Sequence, residues 1–190
     1  MSDTGWLSPG TAGEQNLSGA QVTWSNENNI KTSDNSYARA VEIAEYYWDD
    51  NVVKLVMGGT ISGNDKSTIV DLGTTEITQT YGGSNDLWGE TWSASDINSS
   101  TFGVVLSYIA ESGYKTNYLK ATNFGFNIPT GSTIDGLELS VELKSTWVDD
   151  ESETTYAVDV DHIQIKVYYT ESSGTPTVGT KYALPAFKRP

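Results

Sequence analysis

An antiparallel β-sandwich of the jelly-roll kind, flanked by extended terminal arms, is the fold this sequence predicts. Three observations point to it. Apolar side chains recur with period two in one segment after another, 18 glycines punctuate 190 residues, and a single short stretch carries helix signals. The organisation expected is an N-terminal arm over residues 1–20, one sandwich domain over 21–171 and an extended C-terminal arm over 172–190. About seven to nine short strands would fill the domain.

In chain order, "YARAVEIAEYYW" (37–48) has the alanines and glutamates of a helix, but Val41 and Ile43 alternate and no cap closes it, so strand is expected. "NVVKLVMG" (51–58) and "FGVVLSYIA" (102–110) are β-branched and apolar on both faces, as in strands covered on both sides. "SASDIN" (93–98) carries the helix signal, with Ser93 or Ser95 as cap and Asp96 in the first turn. "TNFGFNI" (122–128) alternates Phe124, Phe126 and Ile128 ahead of a Pro129–Gly131 turn, which predicts a hairpin with "TIDGLELSVELK" (133–144). That second segment sets Leu137, Leu139, Val141 and Leu143 on one face, with Glu138, Ser140 and Glu142 on the other. In "TYAVDVDHIQIKVYY" (155–169) the alternation through Tyr156, Val158 and Val160 resumes out of phase at Ile163, so a β-bulge is expected at Asp161–His162.

Composition bounds the function. Cysteine is absent, which removes disulfides, zinc–thiolate sites and thiol nucleophiles. Hydrophobic residues make up 37% of the chain, and 11 tyrosines and 6 tryptophans supply large contact areas for a core. A net charge of −14 argues against a broad phosphate-binding face, so nucleic acid is not expected as a partner. The first residues lack the basic start and apolar run of a secretory signal, and no window approaches a membrane span, so no membrane partner is expected either.

The charge is unevenly spread. Lys181, Lys188 and Arg189 stand against Glu171 in the last twenty residues, which therefore carry about +2 while the rest carries about −16. The tail is rich in Ser, Gly, Thr and Pro and cannot continue a helix or a central strand. Tyr182, Leu184 and Phe187 are spaced among its prolines. With Lys188 and Arg189 they read as anchors of an arm that docks on a partner, against the plainer reading of a frayed terminus.

Candidates for chemistry are few. His162 is the one histidine, so any Ser-His-Asp triad would have to use it. Asp159, Asp161 and His162 make a weak metal-ligand set, because strand alternation puts His162 on the opposite face unless the bulge turns it. "WDD" (48–50) and "VDDESE" (148–153) are read as carboxylates between strands. Calcium is the cation such loops would suit, although the spacing is not that of an EF-hand, and a solvated acidic rim is the plainer reading. Paired carboxylates also serve glycoside hydrolysis, but these loops look wet rather than apolar. No enzymatic activity and no bound cofactor are expected. Tyr81, Trp88 and Trp92, in "YGGSNDLWGETW" (81–92), are either an exposed aromatic platform for a host-surface glycan or large core residues at a sandwich edge.

Several blocks carry a resemblance: "TWSNENNIKTSDNSYARA" (23–40), "VVKLVMGG" (52–59), "YGGSNDLWGETWSASDINSSTFGVVLS" (81–107), "YLKATNFGFNIPTGSTIDGLELSVELK" (118–144) and "VDHIQIKVYYT" (160–170). "TGWLSPGTA" and "YALPAFKRP" near the two ends belong with them. Together they resemble a family of uncharacterised virion structural proteins of tailed bacteriophages and prophages. The resemblance implies a β-sandwich subunit located in the virion, with other virion proteins and copies of itself as partners, and it brings no catalytic or binding residues. In the family pattern the "YLKATNFGFNIPTGSTIDG" block directly follows "SDNSYA" and the "KLVMGG" to "FGVVLS" block comes later; here the two are exchanged. The exchanged edges fall at apparent strand ends, where loops tolerate reconnection. The sandwich stands as the expectation, and the order of its strands is left open.

Overall fold

A computed structural model describes residues 1–42, 48–68, 72–150 and 153–172. Its strands, in chain order, are β1 (Ser2–Asp3), β2 (Thr11–Gln15), β3 (Trp24–Ser25), β4 (Ala38–Glu42), β5 (Trp48–Met57), β6 (Thr60–Ser62), β7 (Ile77–Gly83), β8 (Gly103–Ala110), β9 (Tyr118–Thr122), β10 (Thr133–Asp150) and β11 (Glu153–Thr170). They form two antiparallel sheets packed face to face, an all-β sandwich. The larger sheet runs β3-β4-β11-β10-β7 with β1 also on β11, and the smaller runs β2-β9-β8-β5-β6.

The larger sheet is built on one hairpin. β10 and β11 are each 18 residues long, so β10 continues past the expected segment 133–144 to Asp150 and takes in residues expected between strands. Leu137 pairs with Val167, Leu139 with Ile165, Val141 with Ile163 and Leu143 with Val160, and all eight are buried. The register steps between Glu142↔His162 and Leu143↔Val160, leaving Asp161 unopposed. This is the expected bulge. It keeps the apolar residues on both sides of it facing the core, at the cost of one unpaired residue.

The other edge of β11 is covered in relay. β4 pairs with residues Tyr156 to Val160, Lys31 bridges His162, Leu7 bridges Ile165, and β1 pairs with Tyr168 and Tyr169. An 18-residue strand has many backbone donors and acceptors to satisfy, and a five-residue β4 meets only some of them. Residues 1–20 are therefore part of the sandwich and not an arm: β1 and Leu7 complete the larger sheet, and β2 pairs along β9 in the smaller.

In the smaller sheet β8 lies between β9 and β5. Six consecutive residues, Gly103 to Tyr108, are buried, which accounts for a strand apolar on both faces. The expected helical turn forms as α1 (Ala94–Ile97), the one α-helix among the described residues; Ser93, of the two candidate caps, caps it in a capping box with Asp96. Residues 123–129 differ from expectation. Phe124, Phe126 and Ile128 are buried, but they join no ladder. Asn123 and Gly125 adopt positive φ of 60° and 73°, which breaks strand geometry. The Asn98 side chain then stands in for a neighbouring strand, accepting from Ile128 N at 2.8 Å and donating to Ile128 O at 2.9 Å. No hairpin forms with β10. In the 37–48 segment, β4 covers Ala38–Glu42, and Ile43 lies outside the described residues.

β4 is tied to β11 by an ion pair. Asp159 is fully buried and takes a two-pronged contact from Arg39, Nε to Oδ1 at 2.6 Å and Nη2 to Oδ2 at 2.7 Å. Thr146 Oγ1 donates to the same Oδ2 at 2.6 Å. Removing one partner of such a pair strands a buried charge, whereas replacing both with apolar groups does not. Arg39→Met is therefore expected to cost about 3 kcal/mol. The double variant Arg39→Met/Asp159→Leu should recover most of that loss in urea unfolding.

Candidate functional site

The bulge decides where the DVDH residues point. Asp159 is opposite Lys144 and His162 is opposite Glu142, both on the outer face, and Asp161 joins them because it is the extra residue. All three are then absorbed by neighbouring segments. Asp161 accepts from Asp34 N at 3.4 Å and Asn35 N at 3.2 Å, capping the loop that leaves Lys31 and returns to β4. Its carboxylate also lies with those of Glu76 and Glu142, with oxygens within 4.8 Å of one another. Because both Asp161 oxygens are already bonded to backbone, that cluster is read as polar packing.

His162 Nε2 and Ser8 Oγ are 2.8 Å apart, and His162 Nδ1 lies 3.9 Å from Glu142 Oε2. The order serine, imidazole, carboxylate resembles a nucleophile with its base, but 3.9 Å is too long for the hydrogen bond that would orient the ring. Ser8 is followed by buried Pro9, which has no N–H to offer an oxyanion, and Gly10 N is already bonded to Asn123 O. The contact is better read as a clasp holding the N-terminal segment to β11.

The aromatic stretch lies inside. Trp88 is fully buried, and Tyr81 and Trp92 are each 6% exposed. Trp88 Nε1 donates to Leu137 O at 3.0 Å, and Trp92 Nε1 donates to Leu87 O at 2.9 Å. Trp92 packs edge-on against Phe102 at 5.5 Å. These three residues present no ring face for a sugar. The core reading holds because each polar tip finds a partner when the ring is buried.

"WDD" also lies elsewhere than expected. It opens β5, and Asp50 is buried on the inner face rather than in a solvated loop. Asp50 Oδ2 accepts from Thr68 N at 2.8 Å and from Tyr81 OH at 3.1 Å. Tyr108 is its cross-strand neighbour on β8. Asp50 Oδ1, the Tyr108 hydroxyl and Trp48 Nε1 are buried without a hydrogen-bond partner among the described residues. Burial raises the Asp50 carboxyl above its ordinary value, and the nearby carboxylate pushes the buried Tyr108 hydroxyl further up. Asp50, inside the sandwich, is therefore not part of a solvated acidic rim, and the side chains of "VDDESE" lie outside the described residues.

The open feature is at the end of the β10–β11 hairpin. β7 follows β10 only as far as Leu143, and beyond it the described residues add one bond, Ser145 N to Gly73 O at 2.9 Å. The strand continues to Asp150. Trp147 faces Tyr156 across the ladder, on the side that carries Leu143 and Ser145 toward the core. Trp147 is nonetheless 53% exposed, and Ile77, opposite Leu143 at the start of β7, is 36% exposed. Leu72, Thr74, Ser145, Trp147 and Tyr156 line a cleft of about 320 Å³. Trp147 lies beyond the segment 133–144 expected as strand, and its exposure depends on where β7 stops. The anchors Tyr182, Leu184, Phe187, Lys188 and Arg189 lie outside the described residues.

No protein-family model, curated protein or solved structure matches the chain.

Two outcomes follow from this geometry. A carboxyl whose folded pKa is raised contributes stability below its ordinary value near 4, and loses it as pH rises through the folded value. Asp50→Asn, which keeps an acceptor for Thr68 and Tyr81, should therefore stabilise the fold by about 1 kcal/mol at pH 7. It should do so less at pH 4, as read from urea midpoints across that range. A fluorophosphonate probe should leave Ser8 unlabelled; stoichiometric labelling that Ser8→Ala abolishes would restore the nucleophile reading.

Proposed function

We propose that the chain is a non-enzymatic structural protein of a tailed-bacteriophage virion. It decorates the outside of a capsid or tail and contacts other virion proteins and copies of itself through its C-terminal arm. The observation that carries this reading is how the polar groups are used. Asp159, Asp161, His162 and Ser8 hold strands and loops together, and among the described residues the cleft at the hairpin end is lined by Leu72, Thr74, Ser145, Trp147 and Tyr156. A rigid, acidic sandwich with one uncovered apolar end suits a subunit that stays dispersed until it assembles. The resemblance of its sequence blocks to virion structural proteins supplies the setting.

The alternative, recognition of a host-surface glycan by Tyr81, Trp88 and Trp92, loses its support because all three are buried. The test is quantitative mass spectrometry of particles purified from the source culture. This chain should be present at a substantial fraction of the major capsid protein, and its absence from intact particles would contradict the reading.

A further inference from the structure

We propose that the cleft at the end of the β10–β11 hairpin receives the C-terminal segment of a second copy of this chain. This deepens the assembly reading above, and rests on its terminal arm, by naming the surface the arm meets. Chemistry, charge and reach support it together. The cleft offers two aromatic side chains, Trp147 and Tyr156, with the hydroxyl-bearing Ser145 and Thr74 beside them. Past Leu143, β10 has lost β7 as a partner, so an added extended segment finds backbone groups to bond as well as a pocket to fill. "KYAL" (181–184) sets Tyr182 and Leu184 on one side of an extended chain, and Pro185 stops the strand from continuing.

The charges are complementary. The hairpin end carries Asp149, Asp150, Glu151 and Glu153 in sequence, and the tail carries Lys181, Lys188 and Arg189. Glu42, opposite Tyr156 on β4, adds an acid whose carboxyl is raised by burial.

Reach favours a second copy over the chain's own tail. Tyr156 and Thr170 lie at opposite ends of β11, about 46 Å apart at the usual strand rise. The twelve residues from Thr170 to Tyr182 span about 42 Å when fully extended. The chain's own Leu184, fourteen residues on from Thr170, would reach this cleft only with the tail pulled nearly straight along β11, while a neighbour's tail has no such limit. A tail-into-cleft contact joins different surfaces of the two partners, so it propagates into rings or open rows of subunits.

The test uses the full-length chain in sedimentation velocity over a concentration series. The wild type should associate increasingly with concentration. Leu184→Ser and Trp147→Ser should each raise the dissociation constant at least tenfold while leaving the melting temperature nearly unchanged. Mixed one to one, the two variants should form a dimer that grows no further, because one intact tail meets one intact cleft. A wild type that stays monomeric throughout, or a Leu184→Ser chain that associates like the wild type, would overturn the proposal. A monomer whose Trp147 is shielded from iodide only while Leu184 is intact would assign the cleft to the chain's own tail and overturn it equally. Particle composition does not enter this assay, so absence from virions and absence of the contact are separate results.

Discussion

The ladder between β10 and β11 is the constraint on which the rest depends. It holds two 18-residue strands in one register, and β4, β1 and β7 pair with no other strand of comparable length. A one-residue slip would turn Leu137, Leu139, Val141 and Leu143 out to solvent, so the register is fixed by burial. The bulge at Asp161 reconciles two apolar runs of opposite phase with one core, and places the surplus acid where the loop from Lys31 needs a cap. Fold and apparent chemistry are thus the same feature: the residues that look most like ligands are there because the strand changes phase.

The segment that follows β7 is pinned to this ladder by a close contact at Trp88. Its indole reaches past β7 to Leu137 O, which it can do only because position 82 has no side chain. A Cβ at Gly82 would collide with Leu137 O and lie 2.6 Å from Trp88 Nε1, and φ there is +78°. Trp88 itself sits at φ 57°, an uncommon conformation for a large residue, held by Asp86 Oδ1 on its backbone N–H and by Asn64 N on its carbonyl. The glycines and small polar residues around the tryptophans are the local cost of inserting a large ring between two sheets.

Period-two patterning made the fold class, the 133–144 part of β10, β11 and the bulge legible, and β5 and β8 were legible as β-branched runs apolar on both faces. The capped turn at Ser93 was equally readable. Three features were not. The positive φ at Asn123 and Gly125 cancelled a strand that alternation alone would give. The N-terminal residues were recruited by unsatisfied backbone on a strand more than 130 residues away. The burial of Asp50 depends on the face β5 presents once its bulge near Asn51 is made. Each is a tertiary outcome that overrides a local pattern. The exposed Trp147 belongs with these, since it follows from the length of a neighbouring strand.

Asp159, Asp161, His162 and Ser8 are spent on holding the sandwich together, and its longest hairpin runs past β7. In sequence the hairpin end is acidic and the tail basic, and the proposed contact between copies brings these opposite charges together. Cryo-electron microscopy of intact particles tests this most directly. The account predicts eleven-stranded two-sheet bodies in a regular array, with density running on from Ser172 of one copy into the Trp147 cleft of the next. Bodies with that cleft open to solvent and the tail seated elsewhere, or particles with no such body, would contradict it.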